Sequence, residues 1–98
     1  SIMAITKEQV IEICKNYEDP ELHIDIWSLG LVYNIEIQPE NKVHLTITFT
    51  SPMCPFGPEM VDDLTHIIKY KGASEVDIDV TFEPAWKAPD ELREMLGL

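Results

Sequence analysis

Two runs of alternating apolar and polar residues, joined by four turn residues, constrain the fold of this chain more than any other feature. The runs cover residues 31–38 and 43–50, with Pro39-Glu40-Asn41-Lys42 between them. Successive strand side chains point to opposite faces, so this pattern predicts an antiparallel hairpin with one apolar face and one polar face. The residues predicted to face the core are Leu31, Tyr33, Ile35, Ile37, Val43, Leu45, Ile47 and Phe49. The opposite face, which includes Thr46, Thr48 and Thr50, is predicted to be solvated.

A helix is predicted before the hairpin and another after it. Thr6 with Gln9 three residues later forms a capping-box pattern, and Pro20 ends the first helix. The second helix has a single apolar stripe and stops at Gly72. Its stripe consists of Met60, Val61, Leu64, Ile67 and Ile68.

A third strand and a short last helix complete the chain. In the strand, Val76, Ile78, Val80 and Phe82 are predicted to face the core. The last helix is predicted over residues 90–96. The resulting order α-β-β-α-β-α predicts a two-layer α+β fold, with helices on one face of a small three-stranded mixed sheet. We expect residues 1–98 to be one domain, with residues 1–5 as a tail. Ser1 and Ile2 precede Met3, a pattern typical of residues left by an expression vector.

Three irregular segments are predicted to meet at one edge of the sheet. The connection from the second to the third strand is a crossover, so these strands run parallel, and the first strand runs against them. The segments 19–30, 50–58 and 83–86 therefore share an edge, and we expect a functional site there.

Cys54 is the most reactive candidate at this edge. It lies between a strand end and a helix start, where the helix dipole favours a thiolate that attacks electrophiles or binds soft metals. The alternative is a small buried apolar side chain. Cys14, in contrast, lies on the apolar stripe of the first helix, which favours a place in the core.

Asp19 and Glu21 flank Pro20 at the end of the first helix. Carboxylates are mildly unfavourable there, so a role at the cysteine edge is one interpretation, and an Asp-Pro turn with a solvated glutamate is the other. His23 lies in the same loop, but a Cys–His pair needs hydrogen-bond contact. Trp86 is either a lid over the sheet end or a core residue.

The charge balance excludes some partners. The chain has 18 acidic and 7 basic residues, a formal net charge of −11. Nucleic acid is an unsuitable partner because no basic stripe can form. No apolar run approaches the roughly 20 residues of a spanning helix. Two cysteines without a signal peptide favour a reducing cytoplasm.

Three segments in order resemble the PaaD-like and SufT-like family, small proteins of iron–sulfur cluster assembly. They are DPELHIDIWSLGLVYNIEI, TFTSPMCPFGPEM and VDIDVTFEPAW. The resemblance implies a fold akin to the C-terminal domain of NifU-type scaffolds, and an accessory role in delivering or maturing clusters. It assigns the functional motif to Asp19, Glu21 and Cys54, and we expect Thr50, Pro55 and Trp86 to support this edge. The family often has Asp at Ser28, a small residue at Met53 and Pro at Ala85, which leaves the subfamily open.

Ligand counting restricts what such a factor can hold. A stable cluster usually takes four thiolate or imidazole ligands, and this chain offers one well-placed cysteine. We therefore expect a cluster held transiently through Cys54, between two copies of the chain or with an iron–sulfur scaffold or client protein. Two alternatives remain: a thiol enzyme with Cys54 as nucleophile and His23 or Glu21 as base, and a plain protein-interaction module.

Overall fold

The computed structural model describes residues 4–97, which form three helices and a three-stranded sheet. The elements are α1 (Lys7–Lys15), β1 (Val32–Gln38), a 3-10 turn (Pro39–Asn41), β2 (Lys42–Ile47), α2 (Gly57–Tyr70), β3 (Glu75–Val80) and α3 (Asp90–Leu96). The predicted α+β order is confirmed. Ser1 and Ile2 lie outside the described residues. Ile5, which we expected in a tail, is buried against the core, and its amide donates to Asn41 Oδ1.

The sheet has the predicted mixed topology. Its strand order is β1-β2-β3, with β1 antiparallel and β3 parallel to β2. Helix α2 is the crossover between the two parallel strands, which cannot be joined by a tight turn. The residues before β1, after β2 and after β3 therefore lie at the same end of the strands, which is the edge predicted to carry the site.

A β-bulge interrupts the alternation of β1. Val32 pairs with Ile47 and Asn34 pairs with Thr46, so Tyr33 is an extra residue without a partner. The prediction that Tyr33 faces the core is wrong, because an extra residue exchanges the faces of its neighbours. Val32 packs against the core instead, and the Tyr33 hydroxyl donates to the Pro84 carbonyl at 2.8 Å.

The core lies between the sheet and helices α1 and α2. Helix α1 packs on β1, α2 packs on β3, and the two helices contact each other. The most deeply buried side chains are Val10, Cys14, Ile26, Leu29, Leu31, Val43, Leu45, Ile47, Met60, Leu64 and Ile68. The prediction that Cys14 belongs to the core is confirmed.

Three predictions about the strand ends are wrong. Ile37, near the end of β1, was predicted to face the core but is exposed. Val80 and Phe82 were predicted in the core, but each is 39% exposed, because β3 is an edge strand that ends at Val80. Thr48 was predicted on the solvated face, but it is fully buried. Strand β2 ends at Ile47, and the Thr48 amide donates to the Leu31 carbonyl at 2.9 Å just beyond the strand.

The predicted start of α1 at Thr6 is confirmed, but this helix ends at Lys15 and does not extend to Pro20. The predicted stop of α2 before Gly72 is confirmed, since this helix ends at Tyr70. Thr6 and Gln9 form the capping box at the start of α1. Helix α2 begins at Gly57, where a Cβ would lie 2.6 Å from the Phe49 ring, so a larger residue would require the ring or the helix to shift. No helix among residues 4–97 has the length and apolar character needed to cross a bilayer.

Candidate functional site

The three irregular segments meet at one edge of the sheet, as predicted. The Cys54 thiol donates to Glu21 Oε1 with an Sγ–Oε1 distance of 3.8 Å, which joins the loop after β2 to the loop before β1. The Trp86 indole donates to the Leu29 carbonyl at 2.7 Å, which joins the segment after β3 to the same loop. The edge is therefore one continuous surface built from three separate parts of the sequence.

Asp19 organises the loop before β1. It is 1% exposed, and its Oδ1 accepts hydrogen bonds from the amides of Glu21 and Leu22 at 2.8 and 2.9 Å. Its own amide donates to the Ile24 carbonyl, and its carbonyl accepts from the His23 amide. An aspartate that bonds backbone amides two and three residues later fixes a tight turn. Asp19 thus holds the turn from which the exposed Glu21 side chain reaches Cys54.

Cys54 lies in a folded loop directly before α2. Its amide donates to the Ser51 carbonyl at 3.1 Å, and its carbonyl accepts from the Gly57 amide at 3.3 Å. The side chain is half-buried, and its neighbours in the chain, Met53 and Phe56, are exposed apolar residues. The thiol is therefore accessible at a partly apolar surface beside a carboxylate.

Opposing effects act on the Cys54 thiol. Burial raises its pKa, a hydrogen bond from the Phe56 backbone lowers it, and the charges of Glu21 and Asp19 raise it further, with the net result above the ordinary value. The sequence indicated a helix start that favours the thiolate, but burial and the nearby carboxylates outweigh the lowering contribution and favour the neutral thiol.

Two of the three residues expected to support this edge, Thr50 and Trp86, line a shallow groove. Its volume is about 220 Å³, and it is lined by Glu21, Leu22, Thr50, Ser51, Trp86 and Leu96. Trp86 is half-buried and packs against the core, so it is a wall of the groove and a core contact at once. Pro55 is exposed beside Cys54 and does not line the groove.

Several candidate residues are not brought together with Cys54. Cys14 is fully buried in α1, where burial raises its pKa to about 12. The hydrogen bonds of residues 4–97 include none between His23 and Cys54. His44 lies on the open face of the sheet and contacts Asp79 at 2.7 Å. Glu21 is thus the side chain that the structure pairs with the thiol.

Two features of this edge were missed from the sequence. Leu96 of α3 lines the groove although nothing in its spacing indicated it. Thr48 is buried with a hydroxyl that has no hydrogen-bond partner among the described residues. The alternation of the sequence continues through Thr50, so no local pattern indicated that the strand ends at Ile47 and that Thr48 is buried.

Comparison with known proteins decides the family. Residues 7–82 match a family described as iron–sulfur cluster assembly protein. The chain belongs to the iron–sulfur cluster assembly protein family. The resemblance seen in the sequence motifs is thereby confirmed, and the match covers every strand and the first two helices.

Individual relatives of this iron–sulfur assembly domain agree with the family match. A Porphyromonas gingivalis protein named Fe-S protein maturation auxiliary factor is 34% identical over 83% of this chain and 78% of its own length. The Staphylococcus aureus auxiliary factor SufT is 35% identical over 69% of this chain and 78% of its own length. A conserved hypothetical protein of Thermotoga maritima superposes with a TM-score of 0.85, at 40% identity and 97% coverage of both chains.

The ligand set at the edge is incomplete for a cluster. Among residues 4–97, the group of three or more metal-ligating side chains within reach of one another is His44, Asp77 and Asp79, away from Cys54. The edge itself offers one thiol with one carboxylate beside it, and a stable cluster usually takes four ligands. This edge therefore offers fewer ligands than a stable cluster takes.

Proposed function

We propose that this chain is a non-catalytic accessory factor that assists the assembly of iron–sulfur clusters or their transfer to client proteins. Family membership and relatives named as maturation auxiliary factors support this function. The observation that carries the proposal is the accessible thiol of Cys54 at the edge where three segments meet. The site of action is the motif Asp19, Glu21 and Cys54.

The chemistry proposed for this edge treats iron or the cluster as cargo. When the Cys54 sulfur binds the cargo, it must lose its proton, because the thiolate is the metal ligand. The proton passes to the Glu21 carboxylate, whose Oε1 already accepts the thiol hydrogen bond, or to water. The raised pKa keeps the thiol protonated until a metal replaces the proton, which suits a transient ligand better than a permanent one.

The remaining ligands come from a partner. A scaffold or client protein that brings its own thiols to this edge would complete the ligand set, and so would a second copy of this chain. The exposed Met53 and Phe56 beside Cys54 supply apolar area for such a contact. We place this exchange in the cytoplasm, where thiols stay reduced.

A thiol enzyme is a weaker proposal for the same geometry. A catalytic cysteine normally has a lowered pKa, whereas the pKa of Cys54 is raised. The base that the structure offers is Glu21 rather than His23. Hydrolysis of an activated ester by the purified chain, lost in Cys54→Ser, would favour the enzyme over the accessory factor.

The test of the proposed function is replacement of Cys54 in cells that depend on this protein. We expect Cys54→Ser to fold like the unchanged chain and to abolish the maturation of a client iron–sulfur enzyme, measured as client activity and cluster absorbance. Cys14→Ala is the matched thiol control. It should lose about 2 kcal/mol or less of stability from the small cavity and keep client maturation. Full client activity in cells that contain Cys54→Ser alone would overturn the proposal.

A further inference from the structure

Strand β3 is an edge strand of the sheet, and the side of β3 that faces away from β2 is called the β3 edge below; it differs from the end of the sheet that carries Cys54. The sheet order is β1-β2-β3, and within residues 4–97 β3 pairs with β2 alone. The Thr81 amide donates to the Ile47 carbonyl, and backbone groups alternate in direction along a strand. The amides and carbonyls of Val76, Ile78 and Val80 therefore point away from β2, where another strand could pair with them.

The two faces beside this edge differ in chemistry. On the open face of the sheet, Asp77 and Asp79 are exposed next to the edge, and Glu36 and His44 follow across β2 and β1. His44 is hydrogen-bonded to Asp79, and Lys42 is the nearby cation, paired with Glu75 at 3.6 Å. The face beside the edge is thus acidic.

The opposite side of the edge is apolar. Val80 and Phe82 are each 39% exposed, and Phe82 packs edge-on against Phe49 with ring centroids 6.2 Å apart. Val76 and Ile78 are half-buried on the same side. If a strand were added at this edge, every second side chain of that strand would lie beside the carboxylates, and the others would lie beside the apolar residues.

The carboxylates beside the β3 edge distinguish between two possible binding partners, a second copy of this chain and a segment of another protein. In a continuous sheet formed by two copies of β3 running antiparallel, Asp77 and Asp79 of one copy would lie beside the same carboxylates of the other. Like charges opposite each other in a sheet are destabilising, so a second copy is disfavoured. We propose that the β3 edge binds an extended peptide segment of a partner protein in which basic and apolar residues alternate.

The probe for this proposal is a capped nine-residue peptide of alternating arginine and valine, labelled with fluorescein. Titrated with the purified chain, it should bind with saturable polarisation, and ¹⁵N spectra should show shifts centred on β3. Exchange of the amide hydrogens of Val76, Ile78 and Val80 should slow on binding, because these amides become hydrogen-bonded.

Two controls separate strand pairing from general attraction to an acidic protein. The same peptide with alternate N-methylated backbone nitrogens keeps its charge but loses its pairing groups, and it should bind at least about tenfold more weakly. Asp77→Asn/Asp79→Asn should weaken binding about fivefold to tenfold, since each exposed charge pair contributes modestly. Glu12→Gln/Glu91→Gln removes the same charge on α1 and α3 and should change binding by less than about twofold.

Three results would overturn the proposal. They are equal binding of the N-methylated peptide, spectral shifts away from β3, and a dimer of the chain through β3 in the absence of peptide. Cys54→Ser should bind the peptide like the unchanged chain. Failure of the proposal for the β3 edge can therefore be distinguished from failure of the proposed function at Cys54.

Discussion

At the level of single residues, two acids in one loop have different roles. Asp19 is buried, and its carboxylate is used by the backbone amides of its own turn. Glu21, two residues later, is exposed and reaches the Cys54 thiol. The sequence allowed two interpretations of this pair, an Asp-Pro turn with a solvated glutamate or a role at the edge that carries Cys54. The structure shows that the turn made by Asp19 positions the carboxylate that contacts the thiol.

The effect of Glu21 on Cys54 is testable through the pH dependence of alkylation. The Cys54 pKa is raised by burial and by the nearby carboxylates, so little thiolate is present at neutral pH and the rate should rise with pH through the raised pKa. Glu21→Gln removes one of the raising charges and should lower the Cys54 pKa. At pH 7 the rate of reaction with iodoacetamide should increase by about two- to fivefold.

Glu40→Gln is the control for this measurement. Glu40 carries the same charge in the turn between β1 and β2, at the opposite end of the sheet from Cys54. Its replacement should leave the alkylation profile unchanged. A Cys54 titration that is identical in the unchanged chain and in Glu21→Gln would contradict the coupling.

At the level of elements, the sequence predicted each helix and strand but not the break within β1. Alternating hydrophobicity identifies a strand from its average pattern, and a bulge is one extra residue whose side chain fits either face. Tyr33 is such a residue, since it is apolar enough for the core and polar enough to bond the Pro84 carbonyl. Its partner lies 51 residues away in the sequence, beyond any local pattern.

The exposure of Val80 and Phe82 has a similar origin. Their alternation with acidic residues is that of a half-buried strand, and it is the same for a central and an edge strand. The sequence predicted which strands are parallel but not how far the helices cover β3. The site edge could be predicted because it follows from strand directions alone.

The start of α2 depends on one close contact that can be tested by substitution. A Cβ at Gly57 would lie 2.6 Å from Phe49 Cε2 and 2.8 Å from Cζ, so the ring or the helix must shift. We expect Gly57→Ala to lower the free energy of unfolding by about 1–3 kcal/mol, the usual range for overpacking. Urea denaturation followed by circular dichroism measures this loss.

A double mutant identifies the cause of that loss. Phe49→Leu shortens the side chain that a Cβ at Gly57 would meet, so Gly57→Ala should cost about 1 kcal/mol less in the Phe49→Leu background than in the unchanged chain. Strict additivity of the two changes would show that the cost arises from backbone conformation and not from the Phe49 ring.

At the scale of the whole molecule, the acidity of the chain is distributed over all its surfaces. Glu8 and Glu12 lie on α1, Asp77 and Asp79 on the open face of the sheet, and Glu21 at the site edge. Within the described residues, the ion pairs between side chains are Lys42–Glu75, His44–Asp79 and Arg93–Asp90, all at the surface. Most carboxylates are therefore uncompensated, and a net charge of −11 on 98 residues must oppose compaction through self-repulsion.

This repulsion predicts that salt stabilises the protein. Raising NaCl from about 0.02 M to about 0.5 M shortens the screening length several-fold, and the Tm should rise by about 5 °C. A variant with four exposed carboxylates neutralised should be more stable at low salt and show a smaller rise, because it has less repulsion to screen. The four changes are Glu12→Gln, Glu40→Gln, Asp62→Asn and Glu94→Gln. Calorimetry at pH 7 across the salt series measures both effects. A Tm that falls as salt is added would show that the surface ion pairs outweigh the repulsion, because screening would then remove net attraction.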